Sequence, residues 1–254
     1  MIVGVIAGAV LGAASYRLRL LTPGGALAAF ALAVPIFGFG GWMWAAPILM
    51  FFGLSNMMSR VGKKRKCDLV FDKGSQRDAF QVLANGGAAG VIAVLYAMTE
   101  NGDFYVFYCA TLAAAAADTW ATELGTLSKQ QPRLITTFRP VPAGTSGGVT
   151  AVGLLSALAG ALSVALAGVF FAPRVQMLLL VPVCGLLGSL VDSLLGATLQ
   201  AQYRCPVCRK VTERRVHCND RLTTQVAGWG WMTNDAVNFL SIACTVGFVY
   251  IGWM

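Results

Sequence analysis

Apolar residues in this chain come in long runs rather than in an amphipathic rhythm. Eight such segments can be drawn, at roughly 2–16, 24–39, 41–58, 79–99, 104–125, 146–171, 175–200 and 229–252. Most are near the length needed to cross a hydrocarbon core as a helix. The pattern predicts an all-α polytopic membrane protein, one integral membrane domain over 1–254 with about eight transmembrane helices and a polar loop at 201–227. The second and third segments are separated only by "FGFGG", which predicts a tight helical hairpin. The first begins at Met1 with neither a charged leader nor a small-residue cleavage site, so a retained helix is expected rather than a cleaved signal peptide.

Composition strengthens the membrane reading. Hydrophobic residues make up 57% of the chain and charged residues 12%, with a mean hydropathy of +0.68, far from an ordinary soluble domain. Charge then orients the segments, because cytoplasmic loops collect Lys and Arg. Arg17 and Arg19 fall in the first loop; Arg60, Lys63, Lys64, Arg65, Lys66, Lys73 and Arg77 in the third; Lys129, Arg133 and Arg139 in the fifth; Arg204, Arg209, Lys210, Arg214, Arg215 and Arg221 in the seventh. Arg174 alone falls on the other side. This sorting places both termini on the non-cytoplasmic face. The net charge of +8 is then explained by topology and by attraction to anionic lipid; no nucleic-acid partner is expected. The basic run "RVGKKRK" reads as a topology anchor.

Once the segments are oriented, the acids acquire depth. Glu100 and Asp103 sit in an outer loop. Asp118, Glu123, Asp192 and Asp235 fall inside apolar segments, all in the cytoplasmic half, where a carboxylate costs at least a few kcal/mol and marks a functional site by default. Pairing with helix-end cations is the purely structural alternative. Other polar groups gather at that depth. "RDAFQVLANGG" places Arg77, Asp78, Gln81 and Asn85 at the start of the fourth segment, with 78, 81 and 85 on one face, followed by Gly86 and Gly87. "VPAGTSGGVT" puts Gly144, Thr145, Ser146, Gly147 and Gly148 before a helix whose start would present free N–H groups to an anion; an ordinary helix cap is the alternative. "WMTNDAVNF" supplies Asn234 and Asn238 around Asp235, and "GSLVDSLLGATLQ" surrounds Asp192 with Ser189, Ser193, Thr198 and Gln200.

Carboxylates and amides with a single His in the chain suit a hard cation, Mg²⁺, which takes oxygen ligands and substrate phosphates. Lys and Arg nearby would hold those phosphates. The combination fits phosphoryl or nucleotidyl transfer at a lipid-borne group and fits a His-nucleophile phosphatase badly. A transporter of an anionic substrate would also use intramembrane acids, but would need polar residues in both halves of the bilayer, and the outer half is nearly bare. The spaced acid signature of alcohol phosphotransferases is not seen, which leaves another Mg²⁺-dependent lipid-phosphate transferase as the remaining alternative of that kind.

"KGSQRDAFQVLANGG", "ADTWATELG", "PRLITTFRPVPAGTSGGVT", "GSLVDSLLGATLQ" and "NDAVN", in this order over about residues 70–250, resemble the integral-membrane family that contains the plant phytyl-phosphate kinase of vitamin E synthesis, whose animal members are known as transmembrane protein 19. The resemblance implies a kinase that uses a nucleoside triphosphate, CTP by analogy with related prenol kinases. The acceptor it implies is an isoprenyl monophosphate, such as phytyl or geranylgeranyl phosphate, converted to the diphosphate; a prenol kinase acting on the free alcohol is the neighbouring alternative. The chemistry agrees. A phosphate monoester has its second pKa near 6, so it is already a nucleophile at neutral pH and the reaction needs alignment and charge neutralisation rather than a general base. On this reading Asp118, Asp192 and Asp235 hold Mg²⁺, with Glu123 a fourth candidate. Asn85, Asn234 and Asn238 hold phosphate or metal, Gly144 to Gly148 cradle phosphate beside Gly86 and Gly87, and Arg139 and Arg77 neutralise transferred charge. An apolar groove between helices would take the prenyl tail, with membrane lipids around the bundle.

The seventh loop carries a separate constellation, "CPVCRKVTERRVHCND". Cys205 and Cys208 form a C-x₂-C knuckle, with His217 and Cys218 nine residues on. Three Cys and one His can close a tetrahedral Zn²⁺ site, although adjacent His and Cys seldom bind one ion; reduced thiols and a redox role are the other readings. A structural disulfide does not fit a cytoplasmic loop.

Overall fold

The computed structural model describes residues 1–61, 76–171 and 174–253. Residues 62–66 of the basic run, with Cys67 and Lys73, lie outside the described residues. Seven helices form the body of the described chain: α1 (Ile2–Arg17), α2 (Pro23–Arg60), α3 (Ala79–Thr99), α4 (Phe104–Gly125), α5 (Ala151–Phe171), α6 (Met177–Thr198) and α7 (Asn234–Trp253). Five of them, α2, α3, α5, α6 and α7, are long and apolar enough to cross a membrane.

The expected second and third segments are one 38-residue helical stretch, α2, broken at Gly41 with φ 60° and ψ −153°. That backbone region is open almost only to glycine. The chain reverses there. Before the break, Thr22 N–H donates to the Arg77 carbonyl and Leu32 packs on Gly86 and Gly90, so this half runs alongside α3. After it, Met43 O accepts from Tyr105 at one end of α4, and Ser59 reaches Glu123 at the other. The two halves are therefore antiparallel, the hairpin that "FGFGG" predicts.

α4 is the central helix. From Tyr105 to Ala117 every residue but Phe107 is buried, and the run of alanines lets neighbours approach on all sides, as expected of a helix enclosed all round. α6 lies parallel to it and α7 antiparallel, packed so closely that a Cβ at Gly188 would collide with Thr245 Oγ1 and sit 2.9 Å from Ala114 Cβ. At one end of the bundle Trp44 gathers Tyr96, Tyr105 and Tyr108, at centroid distances of 4.9, 5.5 and 4.5 Å. Both chain ends lie there, with the Met1 ammonium on Gly38 O and Arg174 over the Trp253 ring. Arg174 also pairs with Asp103 at 3.0 Å.

The opposite end holds the polar structure. Strands β1 (Arg133–Leu134) and β2 (Gly148–Val149) form an antiparallel pair. Beyond α6 come β3 (Gln202–Arg204), β4 (Val211–Thr212), β5 (Val216–His217), β6 (Arg221–Leu222) and β7 (Thr224–Ala227), arranged as a sheet of order β4-β3-β7 and a hairpin β5-β6. Two helix starts differ from expectation. α5 begins at Ala151 rather than 146, because residues 148–149 are extended in the ladder with β1 and Thr150 Oγ1 caps the helix by accepting from Gly153 N–H at 2.9 Å. α7 begins at Asn234 rather than 229, because Trp229 and Trp231 stack at 5.7 Å in the preceding turn and Thr233 receives the first helical N–H, from Val237.

Candidate functional site

The site grows out of the close packing of α4, α6 and α7. One turn beyond the layer of Ala114, Gly188 and Thr245, the same three helices present Asp118, Asp192 and Ser241, each four residues along from its counterpart. The carboxyl groups of Asp118 and Asp192 are within hydrogen-bonding reach of each other, and Ser241 Oγ donates to Asp192 Oδ2 at 3.2 Å. Two carboxyl groups in such contact stay together only with a proton or a cation between them.

A third carboxylate arrives from the polar end. Glu213, immediately after β4, acts electrostatically on both aspartates and accepts from Ser146 Oγ at 2.7 Å. Sequence reasoning missed Glu213. It lies in a loop, outside any apolar run, so no depth argument reaches it; its place midway between the C-x₂-C knuckle and His217 is the only signal it leaves.

The glycine loop sits where it can complete this cluster. β1 pins it through Ile135 N–H on Gly147 O, and Gly147, at φ +75°, lies so close to α6 that a Cβ would collide with Ala197 and lie 2.6 Å from Ser193 O. Ser146 is thereby held toward Glu213. The loop is not itself a helix start. Thr145 N–H donates to Pro142 O and Gly148 N–H to Thr145 O, so an anion would have to use the amides of Gly144, Ser146 or Gly147.

The remaining predicted residues divide. Asn238 is buried one turn from Ser241, and its Oδ1 makes no hydrogen bond among the described residues; the same holds for Gln200 Nε2. Gln200 lines a cavity of about 360 Å³ with Tyr203, Glu213, Arg214, Arg215 and Asn234, so Asn234 does face the site region. Asp235 lies in the first turn of α7, beside Asn234. Glu123 stands apart. Five residues of helix place it about 140° around α4 from Asp118, where it accepts from Ser59 Oγ at 2.6 Å and lies in the field of Arg77. Arg77 itself stacks over Phe51 at 5.9 Å and its backbone bridges Leu20 and Thr22. Asp78 and Gln81 form a capping box at the start of α3, and Asn85 Nδ2 donates back to Gln81 O. Gly86 makes room for Leu32, while Gly87 faces open space. Arg139 is exposed on the turn between the β1 and glycine-loop segments.

Beyond β3 the Cys/His constellation closes up. The ligand atoms of Cys205, Cys208, His217 and Cys218 all lie within 4.8 Å of one another, with His217 Nδ1 3.6 Å from Cys208 Sγ and 3.2 Å from Cys218 Sγ. The backbone amide of Cys208, followed by weaker contributions from His217 and Val207, lowers the Cys205 thiol to about 6. The contact with Cys208, desolvation and the nearby Cys205 raise Cys218 to about 11.

The chain is similar to known proteins along nearly its whole length. Residues 6–246 match the family model described as "Integral membrane protein DUF92", which spans all the motifs quoted above. Protein PGR of Arabidopsis thaliana is 38% identical over 274 residues, covering 96% of this chain and 93% of its own. An uncharacterized membrane protein, MJ0933, of Methanocaldococcus jannaschii is 36% identical over 165 residues, 64% of this chain and 67% of that one. A further uncharacterized membrane protein, sll0875 of Synechocystis, is 27% identical over 240 residues, covering 90% and 83%. No solved structure matches.

Proposed function

The chain belongs to the DUF92 family of integral membrane proteins, and from that premise we propose that it is a membrane-embedded kinase. It would transfer the γ-phosphoryl group of a nucleoside triphosphate, CTP by the resemblance, to an isoprenyl monophosphate such as phytyl or geranylgeranyl phosphate. The observation that carries the reading is the contact of Asp118 with Asp192 at one end of the bundle, with Ser241 on Asp192 and with Glu213, bonded to Ser146, near enough to act electrostatically on both. An all-oxygen donor set fits Mg²⁺, which Asp118, Asp192 and Glu213 would hold, with Asp235 in the first turn of α7 a further candidate ligand. When bound, it would offset the charge of the phosphates.

In the transfer, a phosphate oxygen of the lipid monoester attacks the γ-phosphorus. The new P–O bond forms as the bond to the β,γ-bridging oxygen breaks, and the nucleoside diphosphate leaves with that electron pair. No base is needed, since the acceptor is an anion at neutral pH. The protein's task is to hold two polyanions in line. Arg214 and Arg215, on the cavity wall, suit the nucleotide phosphates; Gln200 Nε2, a buried donor, suits a phosphate oxygen, and Asn238 Oδ1, a buried acceptor, suits Mg²⁺ or a water. Ser146 and Ser241 fix the rotamers of the carboxylates they bond. The lipid tail remains in the apolar surround while its phosphate enters from the membrane side.

The test is a transfer assay on purified protein in detergent with Mg²⁺ and each of the four nucleoside triphosphates, offering phytyl and geranylgeranyl monophosphate beside the free alcohols. Diphosphate product that disappears in Asp118→Asn and Asp192→Asn is the expected result. Product from the alcohols alone would make it a prenol kinase, and no product from any acceptor would overturn the reading.

A further inference from the structure

We propose that Cys205, Cys208, His217 and Cys218 bind one Zn²⁺ tetrahedrally, and that this ion is the structural staple that holds Glu213 at Ser146, within electrostatic reach of Asp118 and Asp192. The zinc half stands on the cluster alone; the Glu213 half rests on the proposed site.

The donor set is three sulfurs and one imidazole nitrogen, the combination that closed structural zinc sites use. A tetrahedron built on Zn–S and Zn–N bonds of about 2.3 and 2.0 Å has edges of about 3.5–3.8 Å; His217 Nδ1, 3.6 Å from Cys208 Sγ and 3.2 Å from Cys218 Sγ, is near that spacing, and all four ligand atoms fall within 4.8 Å of one another, so a small contraction closes the set. The backbone is shaped for it. Between β3 and β4, Cys205 N–H donates to Lys210 O and Arg209 N–H to Cys205 O, at 3.0 Å each, with Arg209 at φ 59°, so the C-P-V-C turn folds both thiols inward. Between β5 and β6, Cys218, Asn219 and Asp220 all take positive φ, a strained turn that puts Cys218 on the same side as its neighbour His217.

The segment needs such a staple. Residues 202–227 hold five strands of two to four residues, and the buried apolar side chains between them are few, Tyr203 and Cys205. A unit this small rarely supplies its own core and commonly uses a metal or disulfides. Glu213 lies between the two halves of the ligand set, one residue beyond β4, so the cross-link between knuckle and hairpin fixes both flanks of the turn that carries it. Thr223 Oγ1 on Arg214 O and Thr223 N–H on Arg215 O tie the same turn to β6.

The test reads metal directly. Full-length protein purified in detergent without chelators should contain about one zinc per chain by elemental analysis. Co²⁺ exchange should give the intense visible bands and sulfur-to-cobalt charge transfer of a tetrahedral thiolate site. Cys208→Ser should bring zinc below about a fifth of wild type. Because that variant could also misfold, His217→Cys serves as the second arm; it keeps four soft ligands and should retain zinc with a shifted Co²⁺ spectrum. Wild-type protein with no more zinc than Cys208→Ser, or a Co²⁺ spectrum of octahedral oxygen coordination, overturns the zinc site, as does a Cys205–Cys208 disulfide found by mass spectrometry. Hydrogen exchange then tests the staple. Stripping zinc should abolish protection across 211–217, and protection that survives zinc loss overturns the positioning of Glu213. None of these readouts depends on phosphate transfer, so a zinc-loaded protein without kinase activity would remove the function proposed above and leave the zinc site standing.

Discussion

At the scale of single residues, the division of the acids makes a sharp distinction testable. Asp118 and Glu123 share the same end of one helix, about 7.5 Å apart along its axis, yet Asp118 faces Asp192 while Glu123 faces Ser59 and the field of Arg77. Asp118→Asn and Asp192→Asn should lower transfer by about 10²–10³-fold, the usual loss when a preorganised electrostatic partner of the reacting phosphates is removed. Glu123→Gln should cost about tenfold or less in transfer while lowering the thermal midpoint in detergent, because a hydrogen bond to a charged group contributes about 1.5–3 kcal/mol. A transfer loss for Glu123→Gln as large as that of Asp118→Asn would place Glu123 back in the reaction. Glu213→Gln should act differently again. Removing one of three carboxylates raises the Mg²⁺ concentration needed for half-maximal rate by about 10–100-fold, with a smaller change at saturating Mg²⁺. A magnesium titration that overlays wild type would take Glu213 out of the metal site.

At the scale of elements, two glycines carry the architecture. Gly41 reverses the chain in a conformation that other residues occupy at a cost of about 1–3 kcal/mol, so Gly41→Ala should lower the unfolding midpoint measured by intrinsic fluorescence without changing any group at the site. Gly188 sits where α4, α6 and α7 meet. Gly188→Ala should destabilise by about 1–3 kcal/mol through overpacking, and Thr245→Ala in the same chain should recover part of it by removing the colliding hydroxyl. Most of the helices were legible in the apolar runs, and the reversal at Gly41 was legible in "FGFGG", because membrane helices are written in length and glycine. The starts of α5 and α7 were not, since apolar residues run through their caps and the decisive bonds, at Thr150 and Thr233, are local. Asp118 and Asp192 could be placed from depth alone. Glu213 could not, because short strands around a Cys/His cluster have no period to read, and its position depends on contacts with residues far away in the chain. The separation of Glu123 was contained in its five-residue spacing from Asp118, a rotation that a shared helix end conceals.

At the scale of the whole molecule, the two ends of the bundle differ in kind. One end holds the Trp44 aromatic cluster, both chain termini and the Arg174–Asp103 pair. The other holds the three carboxylates, the glycine loop and the Cys/His unit, together with the described Lys and Arg side chains other than Arg174. An asymmetry of that size orients a membrane protein, since loops rich in Lys and Arg stay on the cytoplasmic side. On that orientation the site would face the nucleotide pool that the proposed chemistry needs, and the cations would draw a nucleoside triphosphate toward the cavity by long-range attraction. Single cysteines introduced at Ser128, beyond α4 at the site end, and at Asn101, between α3 and α4 at the other, should therefore behave oppositely. In intact cells a membrane-impermeant thiol reagent should label Asn101→Cys and spare Ser128→Cys until the membrane is opened. Labelling of Ser128→Cys from outside would invert the orientation and separate the site from the cytoplasmic nucleotide pool, and the kinase reading would then lose its phosphate donor.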